Sequence, residues 1–146
     1  MIDKKWIGHE YPPSVLPIER TRLQFFAKVI GEIDPIYTDV AAARDAGHPD
    51  LPAPPTFLFA AELDSGLTMR LLADLEIPVA KLLHGEQGFT YHRTAHVGDT
   101  ITVRSTISDI YAKKDGALEF VVKTSRAVNQ RDELVAELRA VIVCRH

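Results

Sequence analysis

The sequence contains one cysteine, Cys144, which excludes an internal disulfide and a metal cluster built on cysteines. It also lacks an excess of one charge, since the formal net charge is -3, and so has no basic footprint for nucleic acid or an anionic membrane. No apolar run approaches the roughly 20 residues of a spanning helix. The first residues, MIDKKWIGHEY, carry charges but no apolar signal core. These absences predict a cytoplasmic protein without nucleic-acid or membrane partners.

Several chemical motifs are missing as well. There is no glycine-rich phosphate loop and no serine in a nucleophile elbow. His92, His96 and Glu86 lack the helical frame that makes a metal motif specific, and we expect both histidines to be exposed near a turn. Cys144 lies in an alternating apolar segment, which predicts a buried and unreactive thiol. We therefore expect no cofactor and no metal.

What the sequence does contain is the material for an ordinary globular core. Hydrophobic residues make up 46% of 146 residues and charged residues 25%. A chain of this length suits one domain, and no repeat, low-complexity tract or linker divides it. We assign one domain to residues 1–146.

The segment Leu51–Leu75 organises the chain. It enters through a proline-rich approach and continues in a helical pattern that is apolar on nearly every side, which predicts one long buried helix. Thr56 is its expected N-cap. Two shorter helices are predicted over Glu19–Ile30 and, capped by Asp39, over Val40–Ala46, whereas residues 1–16 are expected to be irregular.

After Pro78 the apolar residues alternate with polar ones, which is typical of strands. The alternation covers Gln87–Arg93 and three long segments joined by polar turns, and it predicts an antiparallel meander. The result is an α+β fold in which the sheet wraps the long helix. The last strand adds an apolar strip on its outer face, which suggests a homodimer surface; the strip consists of Val135, Val141 and Val143.

Two stretches carry a family resemblance. Residues 31–39, GEIDPIYTD, resemble the hydratase motif D-x-N-P-x-H-x-D of MaoC-like, (R)-specific enoyl-CoA hydratases. Residues 84–99, HGEQGFTYHRTAHVGD, resemble the N-terminal, FAS1-like dehydratase branch of that superfamily. This branch includes small subunits of mycobacterial 3-hydroxyacyl dehydratases. The resemblance covers nearly the whole chain.

The resemblance implies the hot-dog fold and an acyl-CoA or acyl-carrier-protein thioester as substrate. The implied reaction is the reversible hydration or dehydration of this thioester in fatty acid metabolism. It further implies a homodimer, or a heterodimer with a second MaoC-like subunit, in which the two sheets join. The acyl chain would enter near the long helix, and the pantetheine arm would follow the subunit interface.

The resemblance also locates the family's catalytic positions, where this sequence departs from the pattern. Alignment on Pro35 places the family's Asp at Glu32, its Asn at Asp34 and its His at Tyr37. A tyrosine, with an ordinary pKa of about 10, is a poor general base near neutrality. The residues also have structural readings: Glu32 as a solvated acid, Asp34 as a turn residue and Tyr37 as a pocket wall.

The helix entry, commonly His-Gly in the family, is Pro55-Thr56 in this chain. Proline has no N–H, so the main-chain donors of Thr56 and Phe57 remain as candidates for contacting a thioester carbonyl at the helix start. His84 and Glu86 are spaced i, i+2, which places both on one strand face as a substitute pair for catalysis or as a structural pair.

From these departures we expect the substrate-binding, catalytically degenerate half of a (R)-3-hydroxyacyl dehydratase. One alternative is a self-sufficient hydratase or thioesterase that uses Glu32 or the His84/Glu86 pair. Another is a module that binds acyl-CoA without catalysis. Assays separate these hypotheses: a hydratase removes the enoyl absorbance, a thioesterase releases CoA, and a binding module binds acyl-CoA without forming product.

Overall fold

The computed structural model describes all 146 residues. Its framework is an antiparallel sheet with the strand order β1-β3-β4-β5-β2. The strands are β1 Ser14–Pro17, β2 Leu82–Tyr91, β3 Thr100–Lys113, β4 Leu118–Val128 and β5 Leu134–Arg145. The predicted meander is therefore present as β3, β4 and β5, and β2 returns alongside β5 to form one edge of the sheet.

Four α-helices accompany the sheet: α1 Arg20–Val29, α2 Val40–Asp45, α3 Ala60–Asp64 and α4 Leu67–Asp74. The first two match the predicted helices to within one residue at each end. Asp39 caps α2 as predicted, since its carboxylate accepts a hydrogen bond from the Ala41 N–H at 2.8 Å. None of the helices is long and apolar enough to span a membrane.

The predicted long helix is present in three pieces. It begins with a 3₁₀ turn over Phe57–Phe59, continues as α3, and breaks before α4. The break lies at Gly66, which has a φ of 72°, a left-handed conformation that glycine adopts readily. Thr56 occupies the N-cap position of the first turn, as predicted, but its side chain makes no capping hydrogen bond. Leu63 is 52% exposed, so the prediction of burial on every side was wrong.

Strand β1 was missed, because residues 1–16 were expected to be irregular. It pairs with β3 from Ser14, opposite Val103, to Pro17, opposite Thr100. Four residues that end in proline are too few to show alternation, and proline is tolerated at such a sheet edge. The strand forms because it pairs with β3 and because Leu16 is fully buried in the core.

The core consists of two apolar clusters separated by a buried polar group. One cluster surrounds Phe57 and Leu58 at the helix entry, and the other surrounds Leu71 in α4. Between them Glu62, only 1% exposed, forms an ion pair with Lys123. The same carboxylate accepts hydrogen bonds from the hydroxyls of Ser105 at 2.7 Å and Ser125 at 2.8 Å. α3 is thus tied to β3 and β4 by charge as well as by apolar contact.

The apolar strip predicted on the last strand is not exposed. Val135 is 1% exposed and belongs to the cluster at the helix entry. Val141 and Val143 are 2% and 7% exposed, because Val122 and the partly buried side chains of neighbouring strands surround them on the outer face. The prediction that these valines present a partner surface was therefore wrong. Cys144 is buried, as predicted.

Candidate functional site

A cavity of about 340 Å³ opens beside the start of the central helix. Its wall combines the turn that carries Tyr37, the proline-rich approach to the helix, the buried side chain of Leu58 and the residues that follow the end of β2. The lining contains no acidic side chain; it consists of Ile36, Tyr37, His48, Pro52, Ala53, Pro54, Pro55, Leu58, Tyr91, His92, Arg93, Thr94 and Ala95. The cavity therefore offers an apolar floor with neutral and basic polar groups.

Tyr37 is held in the cavity wall by its own local sequence. Asp34 caps a 3₁₀ turn over Pro35–Tyr37, and its carboxylate accepts a hydrogen bond from the Ile36 N–H at 3.1 Å. Burial, together with the negative charges of Glu32 and Asp34, raises the pKa of the Tyr37 phenol above its ordinary value of 10.0. At neutral pH this phenol is a hydrogen-bond donor and not a base.

Glu32, the retained carboxylate of the motif, is not part of the cavity lining. One carboxylate oxygen accepts hydrogen bonds from the N–H groups of Ile33 at 2.9 Å and Asp34 at 3.0 Å. Glu32 and Asp34 therefore each organise the loop after α1, which agrees with their structural readings. The structure keeps Glu32, Asp34 and Tyr37 close together in the chain but brings only Tyr37 to the cavity.

Of the two donors expected at the helix start, one is already used. The Phe57 N–H donates to the Pro54 carbonyl at 2.9 Å, and the Phe57 ring is buried against Phe26, with 5.3 Å between ring centroids. Phe57 is thus a core residue and cannot offer its N–H to a ligand. The Thr56 N–H has no acceptor in the chain, and Thr56 is exposed at the entry.

The predicted pair of His84 and Glu86 does not form. A bulge separates the two residues: His84 lies opposite Ile142 and Glu86 opposite Val141, so Gly85 is an extra residue in β2. The extra residue places the side chains on opposite faces. His84 packs on Phe59 on the helix side, at 5.7 Å between ring centroids, whereas Glu86 pairs with Arg139 at 2.6 Å on the outer side.

The sequence did not single out several of the cavity residues. Tyr91 was assigned only to a strand face, yet it lines the cavity, and burial raises the pKa of its phenol to about 12. His48 lines the cavity from the proline-rich approach. Its Nδ1 lies 3.0 Å from Nε2 of His96, which is half-buried and not exposed as expected. His92 is exposed, as expected, and bonds Glu137 at 2.9 Å. His48 and His96 are 48 positions apart and share no local sequence pattern, so the sequence gave no sign of their contact.

A central helix enclosed by a curled antiparallel sheet is the arrangement of the hot-dog fold, and in this chain a cavity opens at the helix start. The chain matches the FAS1-like, dehydratase domain region over residues 5–138. It is 37% identical over 146 residues to a UPF0336 protein of Parafrankia sp., covering 99% of this chain and 95% of that one. The chain therefore belongs to the FAS1-like dehydratase family, and its relatives include UPF0336 proteins.

Solved structures confirm the predicted hot-dog fold. The HadBC (3R-hydroxyacyl-ACP dehydratase) complex of Mycobacterium tuberculosis contains a chain that superposes with a TM-score of 0.81 at 22% identity, covering 94% of this chain and 96% of that one. The ChsH1-ChsH2 complex of the same organism gives a TM-score of 0.72 at 24% identity, over 93% and 88% of the two chains. Both neighbours are complexes of two named components.

Proposed function

We propose that this chain is the acyl-thioester-binding subunit of a (R)-3-hydroxyacyl dehydratase and that a second MaoC-like subunit with an intact Asp/His pair performs the proton transfers. The observation that carries the proposal is Tyr37. A phenol with a raised pKa occupies the imidazole position, in the wall of a cavity at the helix start.

Hydration of an enoyl thioester requires a base to activate water and an acid to protonate the α-carbon. Tyr37 stays protonated at neutral pH, and Glu32 is committed to two main-chain N–H groups outside the cavity. Neither residue of the altered pair is therefore placed as a general base. The other predicted pair is absent, because His84 and Glu86 lie on opposite faces of β2. Its absence disfavours the self-sufficient enzyme.

The cavity favours a thioester with an anionic carrier. Its volume of about 340 Å³ lies at the small end of ligand pockets, and its floor is formed by prolines and Leu58. Arg93 and His92 lie on its wall, and their carboxylate neighbours, Glu133 at 3.8 Å and Glu137 at 2.9 Å, lie outside the lining. This distribution suits a short acyl group in the apolar part, with the phosphate-bearing arm of CoA or acyl-carrier protein leaving past the basic residues.

The free edge of the sheet favours a partner subunit. Strand β2 pairs only with β5, so ten residues present one unpaired row of main-chain donors and acceptors. Within this edge strand Leu83 is 49% exposed. A second hot-dog chain that adds its own edge strand would satisfy the row of main-chain groups.

The experiment is an assay of the purified chain with crotonyl-CoA. We expect binding without hydration, so that thermal stability rises with ligand, by about 2.7 kcal/mol at a hundredfold excess over Kd, while the enoyl absorbance stays constant. Glu32→Gln should leave this result unchanged, with Asp45→Asn as the matched carboxylate control. Robust turnover that Glu32→Gln abolishes would refute the degenerate-subunit proposal, and CoA release would indicate a thioesterase.

A further inference from the structure

The His48–His96 contact fixes one side of the cavity. His48 begins the proline-rich approach and lines the cavity, whereas His96, which follows β2, lies outside the lining and contacts His48. Main-chain hydrogen bonds hold the two segments together, from Ala53 N–H to the Ala95 carbonyl at 2.8 Å and from Val97 N–H to the Leu51 carbonyl at 3.0 Å. The two imidazoles are therefore held in contact by the backbone on both sides.

The contact limits what each imidazole can do. A nitrogen–nitrogen distance of 3.0 Å is a hydrogen bond in which one ring donates and the other accepts. His48 uses Nδ1 for this bond, so only its Nε2 remains for a ligand. When His96 Nε2 donates, the neutral His48 carries its proton on Nε2 and can donate to a carbonyl oxygen. The pair can then supply the donor that Phe57 does not.

We propose that His48 is a ligand-contact residue of the cavity, donating from Nε2 to the carbonyl oxygen of the bound acyl thioester, and that His96 is its positioning residue. The inference rests on the proposed function, because it assumes that the acyl group occupies this cavity. It adds an imidazole from outside the hydratase motif, reached through a segment that the motif does not include.

The surroundings of the pair agree with a neutral His96. Burial and the neighbouring His48 lower the pKa of His96, while the carboxylates of Asp99 and Asp50 act in the opposite direction. The lowered pKa favours the neutral ring near neutral pH, which is the form that can donate from Nε2 to His48 without adding a charge to the buried contact. The remaining polar groups across the cavity are Tyr37, Tyr91, Thr94, His92 and Arg93.

The test is titration of the full chain with crotonyl-CoA by calorimetry at about pH 7.5, where an ordinary histidine is neutral. His48→Ala should weaken binding roughly 2- to 12-fold, which is the net effect of one hydrogen bond. His9→Phe is the control, since His9 packs between Trp6 and Tyr11, at 4.9 and 4.7 Å between ring centroids, away from the cavity.

His96 variants separate positioning from simple packing. The side-chain amide of His96→Gln can still donate to His48, so this variant should bind like the wild type. His96→Phe fills the space without a donor and should bind like His48→Ala. The ring resonances of His48 in the wild-type chain should also shift when crotonyl-CoA is added, a result that needs no variant.

The outcomes are distinct. Equal binding by wild type and His48→Ala, with unshifted His48 resonances, overturns the role of His48 and leaves the proposed function intact. Equal behaviour of His96→Gln and His96→Phe overturns the positioning role. Absence of binding by the wild type overturns this inference and the proposed function together.

Discussion

The buried ion pair of Glu62 and Lys123 gives a quantitative prediction about stability. Glu62 is 1% exposed and Lys123 is 4% exposed, so neither charge is hydrated. Lys123→Met removes the ammonium group and leaves the Glu62 carboxylate with the two hydroxyl donors of Ser105 and Ser125 but no counter-ion. Loss of one partner of a buried pair costs about 3–5 kcal/mol. For a chain of this size the midpoint of thermal unfolding should fall by roughly 6–20 °C, at about 2–4 °C per kcal/mol.

The pH dependence of this loss checks its cause. In the wild type, burial acts to raise the pKa of Glu62, but Lys123 and the two serine hydroxyls outweigh it, so the pKa lies below 4.5. The stabilisation is therefore present above the unfolded-state pKa and is lost only as the pH falls through the lower folded-state value. In Lys123→Met burial acts without the ammonium group, and Glu62 prefers to be protonated. The difference between variant and wild type should then shrink as the pH falls from about 7 to about 5.

Chemical denaturation at several pH values measures both effects. Glu62→Gln/Lys123→Met is the matched control, because it removes both charges and keeps an acceptor for the serine hydroxyls. It should recover most of the lost free energy of unfolding, since neutral replacement of a buried pair is often tolerated. A loss below about 1 kcal/mol in Lys123→Met, or a loss that does not vary with pH, would refute the reasoning.

Three further predictions follow from local geometry. Gly85→Ala should destabilise the fold by about 1–3 kcal/mol, because the added Cβ would lie 2.9 Å from Val143 Cγ2 and 3.1 Å from the Val141 carbonyl oxygen. Gly88→Ala is the control, since its nearest contact is 3.8 Å away, and equal unfolding free energies of the two variants would contradict the clash. Tyr11 and Tyr91, with pKa values of about 12, should ionise last among the four tyrosines in an alkaline absorbance titration, and Tyr91→Phe should remove one of these late steps. The stability linked to each phenol is present below pH 10.0 and declines as the pH rises towards 12. Asp39→Ala should cost about 1 kcal/mol in thermal unfolding through loss of the α2 cap, more than Asp45→Ala at the other end of that helix.

The sequence predicted the elements whose pattern is long and local. Alternation of apolar and polar residues indicated β3, β4 and β5, and helical spacing indicated α1 and the central helix. It failed where one residue changes the geometry. Gly66 interrupts the helix by adopting a left-handed conformation, and the extra residue Gly85 reverses the face of everything before it in β2.

The candidate site divides in the same way. The resemblance singled out Tyr37 and the helix entry, and Tyr37 and Pro55 line the same cavity. The His48–His96 contact spans 48 positions and the Glu62–Lys123 contact 61, so only the folded chain brings these side chains together. Phe57 shows a further limit: a main-chain donor at a helix start is available only if the preceding turn does not already use it.

The central claim is that this chain binds the thioester while a partner performs the chemistry, and reconstitution tests it most directly. The chain is mixed with a MaoC-like subunit that retains the motif Asp and His, and crotonyl-CoA hydration is measured for each chain and for the mixture. Activity should be highest in the mixture, be abolished by substitution of the partner's His, and survive Tyr37→Phe and Glu32→Gln in this chain. Activity of this chain alone, or loss of activity in the mixture on Glu32→Gln, would contradict the claim.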